Sequence, residues 1–160
     1  MGRYVSTFTN RIDAKGRVSI PAPFRQALVK EGAEQLYCCP TLDMQAVDAG
    51  GKALQGRIDD LLSSYPPFSE DYEYFSTALL GDSEELKIDG DGRVVLSDTI
   101  RNHAGLDGKV TFVGQGYKFQ LWNPERFEVF REESRSRVRA LRKNLGFNKS
   151  ANAVIVEGQE

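Results

Sequence analysis

An internal repeat constrains this chain more than any other feature. RIDAKGRVSIPAPFR at 11–25 returns as KIDGDGRVVLSDTIR at 87–101, so Asp13, Gly16, Arg17, Val18 and Arg25 recur as Asp89, Gly92, Arg93, Val94 and Arg101. The correspondence continues where Met44-Gln45-Ala46-Val47-Asp48 aligns with Phe119-Gln120-Leu121-Trp122-Asn123, at an offset one residue shorter. Two copies of one supersecondary unit imply two half-domains that share a core. The 160 residues suit such a pair.

Each copy reads in the same order. Tyr4 to Arg11 alternates aromatic, β-branched and polar residues and predicts a strand. Asp13-Ala14-Lys15-Gly16 predicts a tight turn, because Asp accepts hydrogen bonds from backbone N–H groups just beyond it and Gly supplies positive φ. Arg17 to Ile20 predicts the return strand of a hairpin. Pro21 and Pro23 then open a short helix over Ala22 to Lys30 that Gly32 stops. Leu36 to Cys39 and Leu42 to Val47 follow as short strands. In the second copy Glu85 to Ile88, Asp89 to Gly92, Arg93 to Leu96 and Asp98 to Ala104 repeat strand, turn, strand and short helix. Between the copies, Leu54, Ile58, Leu61, Leu62 and Tyr65 fall at helical spacing. Pro66-Pro67 breaks that run, and Ser69 caps a second helix carrying Tyr72, Phe75, Leu79 and Leu80 on one face. Asn123-Pro124 starts a long helix to Leu145 with a Phe127, Phe130, Val138, Leu141 and Leu145 stripe, and a loose tail from Gly146 to Glu160 ends the chain.

Composition narrows the class. No run reaches the roughly 18 apolar residues of a membrane span, and the N-terminus lacks the apolar core of a secretion signal, so a soluble cytoplasmic protein is expected. Met1, Gly2 and Ser6 fit the spacing of a myristoylation site, but no second anchoring signal accompanies them. Cys38 and Cys39 are adjacent, which disfavours a disulfide and lacks C-x-x-C spacing, so both are expected as small core residues in a strand. The formal net charge of −2 excludes DNA binding by bulk charge and leaves only a local basic cluster to do it.

Candidate chemistry sorts quickly. Asp13 and Asp89 could be imagined as a catalytic acid–base pair, but a turn-forming Asp is explained by backbone hydrogen bonding, and His103, the one histidine, has no evident partner. The chain is therefore expected not to be an enzyme. Asp89-Gly90-Asp91-Gly92 resembles part of a calcium loop, yet with Gly92 at the sixth position Lys87 occupies the first ligand position and Asp98 the twelfth. The phosphate-loop pattern is absent as well, and no cofactor or metal is expected. The basic residues are the stronger signal. Arg11, Lys15, Arg17 and Arg25 stand against Asp13 alone in the first copy, whereas Lys87, Arg93 and Arg101 are balanced by Asp89, Asp91 and Asp98 in the second. An Asp four residues before an Arg across a tight turn can hold one edge of the guanidinium and leave the other to read guanine O6 and N7. The competing reading is that both pairs are internal braces that touch no ligand. Arg131, Arg135, Arg137, Arg139, Arg142 and Lys143 form a further basic helix face, a kind that is usually solvated.

Two D-x-x-G-R turns about 75 residues apart, each followed by a short helix with a downstream Arg, resemble the MraZ family of bacterial regulators of the division and cell-wall gene cluster. The resemblance covers roughly Tyr4 to Leu145 and includes Ala104-Gly105-Leu106 and Lys118-Phe119-Gln120-Leu121-Trp122. It implies an α+β, β-rich fold of tandem AbrB-like swapped-hairpin units forming a double-split β-barrel with peripheral helices. The units would span 4–48 and 82–123, with a helical connector at 49–81, a C-terminal helix at 124–145 and a tail at 146–160. It also implies a sequence-specific, nucleoid-associated regulator that binds direct repeats in promoter DNA as a ring-shaped homo-oligomer. Carried over, Arg17 and Arg93 contact bases or phosphates, Lys15 adds a phosphate contact, Arg11 completes the DNA-binding set, and Asp13, Gly16, Asp89 and Gly92 brace the turns. Asp91, standing where the first copy has Lys15, puts equal use of the two copies in doubt. An oligomeric protein-interaction scaffold that binds acidic partners and no DNA is the alternative.

Overall fold

The computed structural model describes residues 3–159, with side chains from 3 to 145. The chain divides into two units, Met1–Pro124 and Glu125–Glu160. The first contains β1 (Thr7–Arg11), β2 (Arg17–Ser19), α1 (Ala22–Lys30), β3 (Gln35–Pro40), β4 (Ala46–Gly50), α2 (Lys52–Ser63) and α3 (Glu70–Leu79). The second copy of the repeat follows as β5 (Glu84–Lys87), β6 (Arg93–Val95), α4 (Asp98–Ala104), β7 (Lys109–Gly114) and β8 (Phe119–Trp122).

The two copies interleave. Six strands form one antiparallel sheet in the order β1-β7-β8-β4-β3-β5, while β2 and β6 form a separate two-stranded ribbon. The hairpin expected of residues 4–20 is therefore not a ladder between its own arms. β1 pairs with β7 and β2 pairs with β6, each time across the repeat. The arms of the first copy stay joined by the turn bonds Asp13 N to Arg17 O (2.9 Å) and Gly16 N to Asp13 O (3.0 Å). The reason lies in the valines. Pairing β2 with β6 sets Val18 opposite Val94, and both are 1% exposed. Burying a side chain of that size contributes roughly 1.5–3 kcal/mol, and the cross-repeat register buries one from each copy at once. The six-stranded sheet does not close into a barrel, since β1 and β5 remain its edges.

The main core lies between the sheet, the ribbon, α1 and α4. It joins Val18, Ile20, Val94 and Leu96 to Phe24, Leu28, Leu36, Ile100, Phe112, Phe119 and Leu121. A second cluster on the other face of β3 packs Tyr37 and Cys39 against Leu54, Ile58 and Leu62 of α2, with Tyr72, Phe75 and Leu79 of α3 partly buried on it. Cys38 and Cys39 are free thiols that alternate into these two clusters, and burial pushes both thiols up from their usual range. Ser69 caps α3 as expected, its hydroxyl accepting from Tyr72 N at 3.1 Å.

Two strands differ from expectation for local reasons. The strand predicted from Tyr4 begins at Thr7 because Ser6 takes a left-handed φ of 79°. Gly114 opposite it allows the Tyr4–Val5 backbone to approach, within 2.7 Å of where a Cβ would lie. Tyr4 thereby turns inward to full burial against Phe24 and Phe119, at ring distances of 5.5 and 5.0 Å, and its hydroxyl donates to Glu31. Leu42 to Gln45, expected within a strand, instead form a connection. Thr41 Oγ1 closes it by bonding Met44 O (2.7 Å) and Ala46 O (3.0 Å), and β4 starts only at Ala46.

The second unit is the helix α5 (Pro124–Gln159). Its backbone stays helical beyond Leu145, where a tail was expected. No proline follows Pro124, so nothing in the stretch removes a backbone donor from the hydrogen-bond ladder. Val138, Leu141 and Leu145, expected as a packing stripe, are 50%, 60% and 58% exposed.

Candidate nucleic-acid interface

The two D-x-x-G-R turns have nearly the same geometry. In the first, Asp13 Oδ1 accepts from Lys15 N and Arg17 N, both at 2.9 Å, and Asp13 Oδ2 accepts from Arg17 Nε at 2.7 Å. In the second, Asp89 Oδ1 accepts from Asp91 N and Arg93 N at 2.9 Å, and Asp89 Oδ2 from Arg93 Nε at 3.1 Å. These donated bonds, chiefly from the backbone N–H of Arg17 and of Arg93, hold both carboxyls below the usual aspartate range. Gly16 and Gly92 sit at φ 79° and 76°, where a Cβ would be strained.

Each turn is locked by the other copy. Gly16 O accepts from Leu96 N at 2.9 Å, and Gly92 O accepts from Ile20 N at 3.0 Å. The downstream arginines complete the exchange. Arg25 lies over the second turn, with Nη1 donating to Asp91 O at 3.3 Å, and Arg101 Nη1 lies 3.6 Å from where a Cβ on Gly16 would be. Sequence alignment pairs Arg25 with Arg101, but only the fold shows that each serves the opposite turn. Nothing local to the motif signals that contact.

The register puts both motif arginines on one surface. Arg17 lies opposite Val95 and Arg93 opposite Ser19, whereas Val18 and Val94 between them point into the core. Arg17 and Arg93 are thus diagonal neighbours on the outer face, about 7–8 Å apart at Cα. Val95 on that face is 56% exposed. The turns extend from opposite ends of the ribbon.

The guanidinium groups differ in what they leave available. Arg17 is held through Nε alone, and neither of its Nη groups has a partner among the described residues. Arg93 is held twice, through Nε by Asp89 and through Nη2 by Asp91 Oδ2 at 3.2 Å. Lys15, at the position equivalent to Asp91, is exposed and forms no described ion pair. Arg11, also exposed, lies directly opposite Lys109 in the β1–β7 ladder. Asn10 Nδ2 ties this strand to the ribbon by donating to Ser19 O at 2.7 Å.

All eight expected site residues therefore fall on the two turns, at opposite ends of the ribbon, or at the strand end beside the first turn, and the internal-brace geometry and an open Arg17 edge coexist. The imagined acid–base pair is not assembled, because Asp13 and Asp89 belong to turns at opposite ends of the ribbon. A groove of about 790 Å³ beside the second turn is lined by Arg25, Val29, Lys30, Ile88 and Asp89, and by neither Asp13 nor His103. His103 lies on α4 with Nε2 buried and, among the described residues, without a hydrogen-bond partner. Among the described residues no cluster of His, Cys, Asp and Glu has metal-binding geometry, and no helix is long and apolar enough to cross a membrane.

Two copies of one unit, each lending a strand to a shared ribbon and each presenting an Asp-braced Gly-Arg turn, define a tandem-repeat α+β protein. A family model described as "MraZ protein, putative antitoxin-like" matches residues 79–148. The chain is 57% identical over 145 residues to a "Transcriptional regulator MraZ" of Beijerinckia indica, covering 91% of this chain and 88% of the relative. It is 54% identical to the protein of that name from Methylocella silvestris, with 94% and 92% covered, and 56% identical to that of Xanthobacter autotrophicus, with 91% and 93% covered. The chain belongs to the MraZ family.

Proposed function

We propose that this protein is a transcriptional regulator that binds double-stranded promoter DNA through the outer face of the β2–β6 ribbon, with Arg17 as the principal reader. The observation that carries this is the state of Arg17. Asp13 fixes one edge of its guanidinium and, among the described residues, leaves the two Nη groups without a partner, the planar fork that matches guanine O6 and N7 or a phosphate. Lys15 and Arg11 add positive charge around it. Arg11 opposite Lys109 is a like-charge pair, which costs stability until an anion neutralises it. The relatives' common name, Transcriptional regulator MraZ, supports the regulatory role and speaks against an enzyme.

The cross-repeat pairing of β1 with β7 and of β2 with β6 supports reading the fold as tandem swapped hairpins of the AbrB-like kind. One short ribbon with a few basic residues binds weakly. A ring of subunits presenting such ribbons at fixed spacing would gain effective concentration on direct repeats in the division and cell-wall promoter, so weak modules suffice.

A fluorescence-anisotropy titration with a duplex carrying those repeats tests the assignment. The expected result is tight, salt-sensitive binding that Arg17→Ala weakens roughly 5- to 150-fold, the range for losing one good bidentate contact. Unchanged affinity in Arg17→Ala, or no preference over a scrambled duplex, would overturn it in favour of a scaffold that binds protein partners.

A further inference from the structure

We infer that Asp91 is a specificity-determining residue that masks the second turn, so that each subunit contacts DNA through the first turn only; this rests on the DNA-binding reading above. The two turns offer an internal comparison. Their backbone bonds agree in partner and nearly in length, and DAKGR at 13–17 differs from DGDGR at 89–93 at two positions, Ala14 against Gly90 and Lys15 against Asp91. Only the second difference changes charge, turning the five-residue turn from +1 to −1.

Asp91 acts in two ways. Its Oδ2 takes Arg93 Nη2 at 3.2 Å while Asp89 holds Nε at 3.1 Å, so one of the two end-on Nη groups that Arg17 presents is occupied in Arg93 and the bidentate fork is broken. Its own carboxylate is 79% exposed at the turn tip, where a phosphate would approach. The position is well ordered by the fold, because Arg25 Nη1 donates to Asp91 O at 3.3 Å and Gly92 is pinned to Ile20. The second turn is thus built like a reader, with the same brace and the same outward face, and Asp91 keeps it from acting as one. Its retained structural task is the cross-repeat lock on Ile20.

The test uses the full-length protein and the promoter duplex, with affinity measured at several salt concentrations. Asp91→Lys removes the mask and restores the charge pattern of the first turn. It is expected to tighten binding about 10-fold and to steepen the dependence of log K on log salt by about one phosphate contact. Asp91→Ala, which frees Arg93 without adding a cation, is expected to give about 3-fold. Adding Arg93→Ala to Asp91→Lys should remove most of the gain. Asp60→Lys on the exposed face of α2 makes the same change in net charge and is expected to stay within about 2-fold. If Asp91→Lys binds no more tightly than Asp60→Lys while Arg17→Ala still weakens binding, the inference falls and the DNA-binding reading stands. If Arg17→Ala binds like the parent, both fall.

Discussion

Gly16 and Gly92 occupy equivalent positions in the two turns, yet replacing each with alanine should have unequal effects. Both have φ near +77°, between 76° and 79°, where an L side chain costs about 1–2 kcal/mol. Alanine recovers about 0.4–1 kcal/mol by restricting the unfolded chain, so the backbone alone predicts a net loss of about 1 kcal/mol at either site. The surroundings then separate them. A Cβ on Gly16 would lie 3.5 Å from Leu96 O and 3.6 Å from Arg101 Nη1, which is ordinary contact. On Gly92 it would lie 2.2 Å from Arg25 Cδ and 2.3 Å from Arg25 Nη1. Arg25 must therefore leave its rotamer, at about 0.5–1.5 kcal/mol, and give up its bond to Asp91 O. Gly92→Ala is expected to cost about 2 kcal/mol against about 1 kcal/mol for Gly16→Ala. With a urea m-value of roughly 2 kcal/mol/M, the midpoints fall by about 1 M and 0.5 M. A double-mutant cycle with Arg25→Ala isolates the difference, since the excess at Gly92 should vanish and leave a coupling of about 1 kcal/mol. Equal losses at the two glycines, or an excess at Gly92 that survives Arg25→Ala, would refute the claim that Arg25 packs over the opposite turn.

Further outcomes follow from the same contacts. Asp13 and Asp89 have depressed carboxyl pKa values, so their contribution to stability is complete above the ordinary aspartate range and is lost as pH falls through the lowered folded values. Urea midpoints of the parent should hold steady from about pH 7 to 5 and decline below about pH 4, with a smaller decline in Asp13→Asn/Asp89→Asn. Ser97→Ala removes the oxygen that caps Ile100 N at 3.2 Å and bonds Glu84 Oε2 at 2.8 Å, and should cost about 1 kcal/mol by thermal unfolding. Phe24→Ala, which removes a 1% exposed ring packed against buried Tyr4 and Phe119 and the partly buried Phe8, should cost about 3–5 kcal/mol in the same assay.

Much of this was legible in the sequence because local chemistry determined it. The turn residues Asp13, Gly16, Asp89 and Gly92, the Pro-opened helix α1 and the Ser69 cap are set by groups within a few residues of one another. Strand partnership was not legible at that range. The strand formed by Arg17 to Ser19 is equally compatible with its own neighbour or with Arg93 to Val95, and burial of Val18 against Val94 decides between them only in three dimensions. The start of β1 was missed for a similar reason, since a serine at positive φ carries no sequence signal and depends on Gly114 across the sheet. At the candidate interface the residue types were readable, as was the unequal charge of the two copies. The occupied Nη2 of Arg93 and the crossed placement of Arg25 required the fold.

The measurement that bears most directly on the central claim is the affinity of the promoter-repeat duplex for the parent and for Arg17→Ala across a salt series. Tight binding by the parent with a steep salt dependence, weakened roughly 5- to 150-fold and made shallower in Arg17→Ala, is the predicted result. Superimposable curves for the two proteins would contradict it.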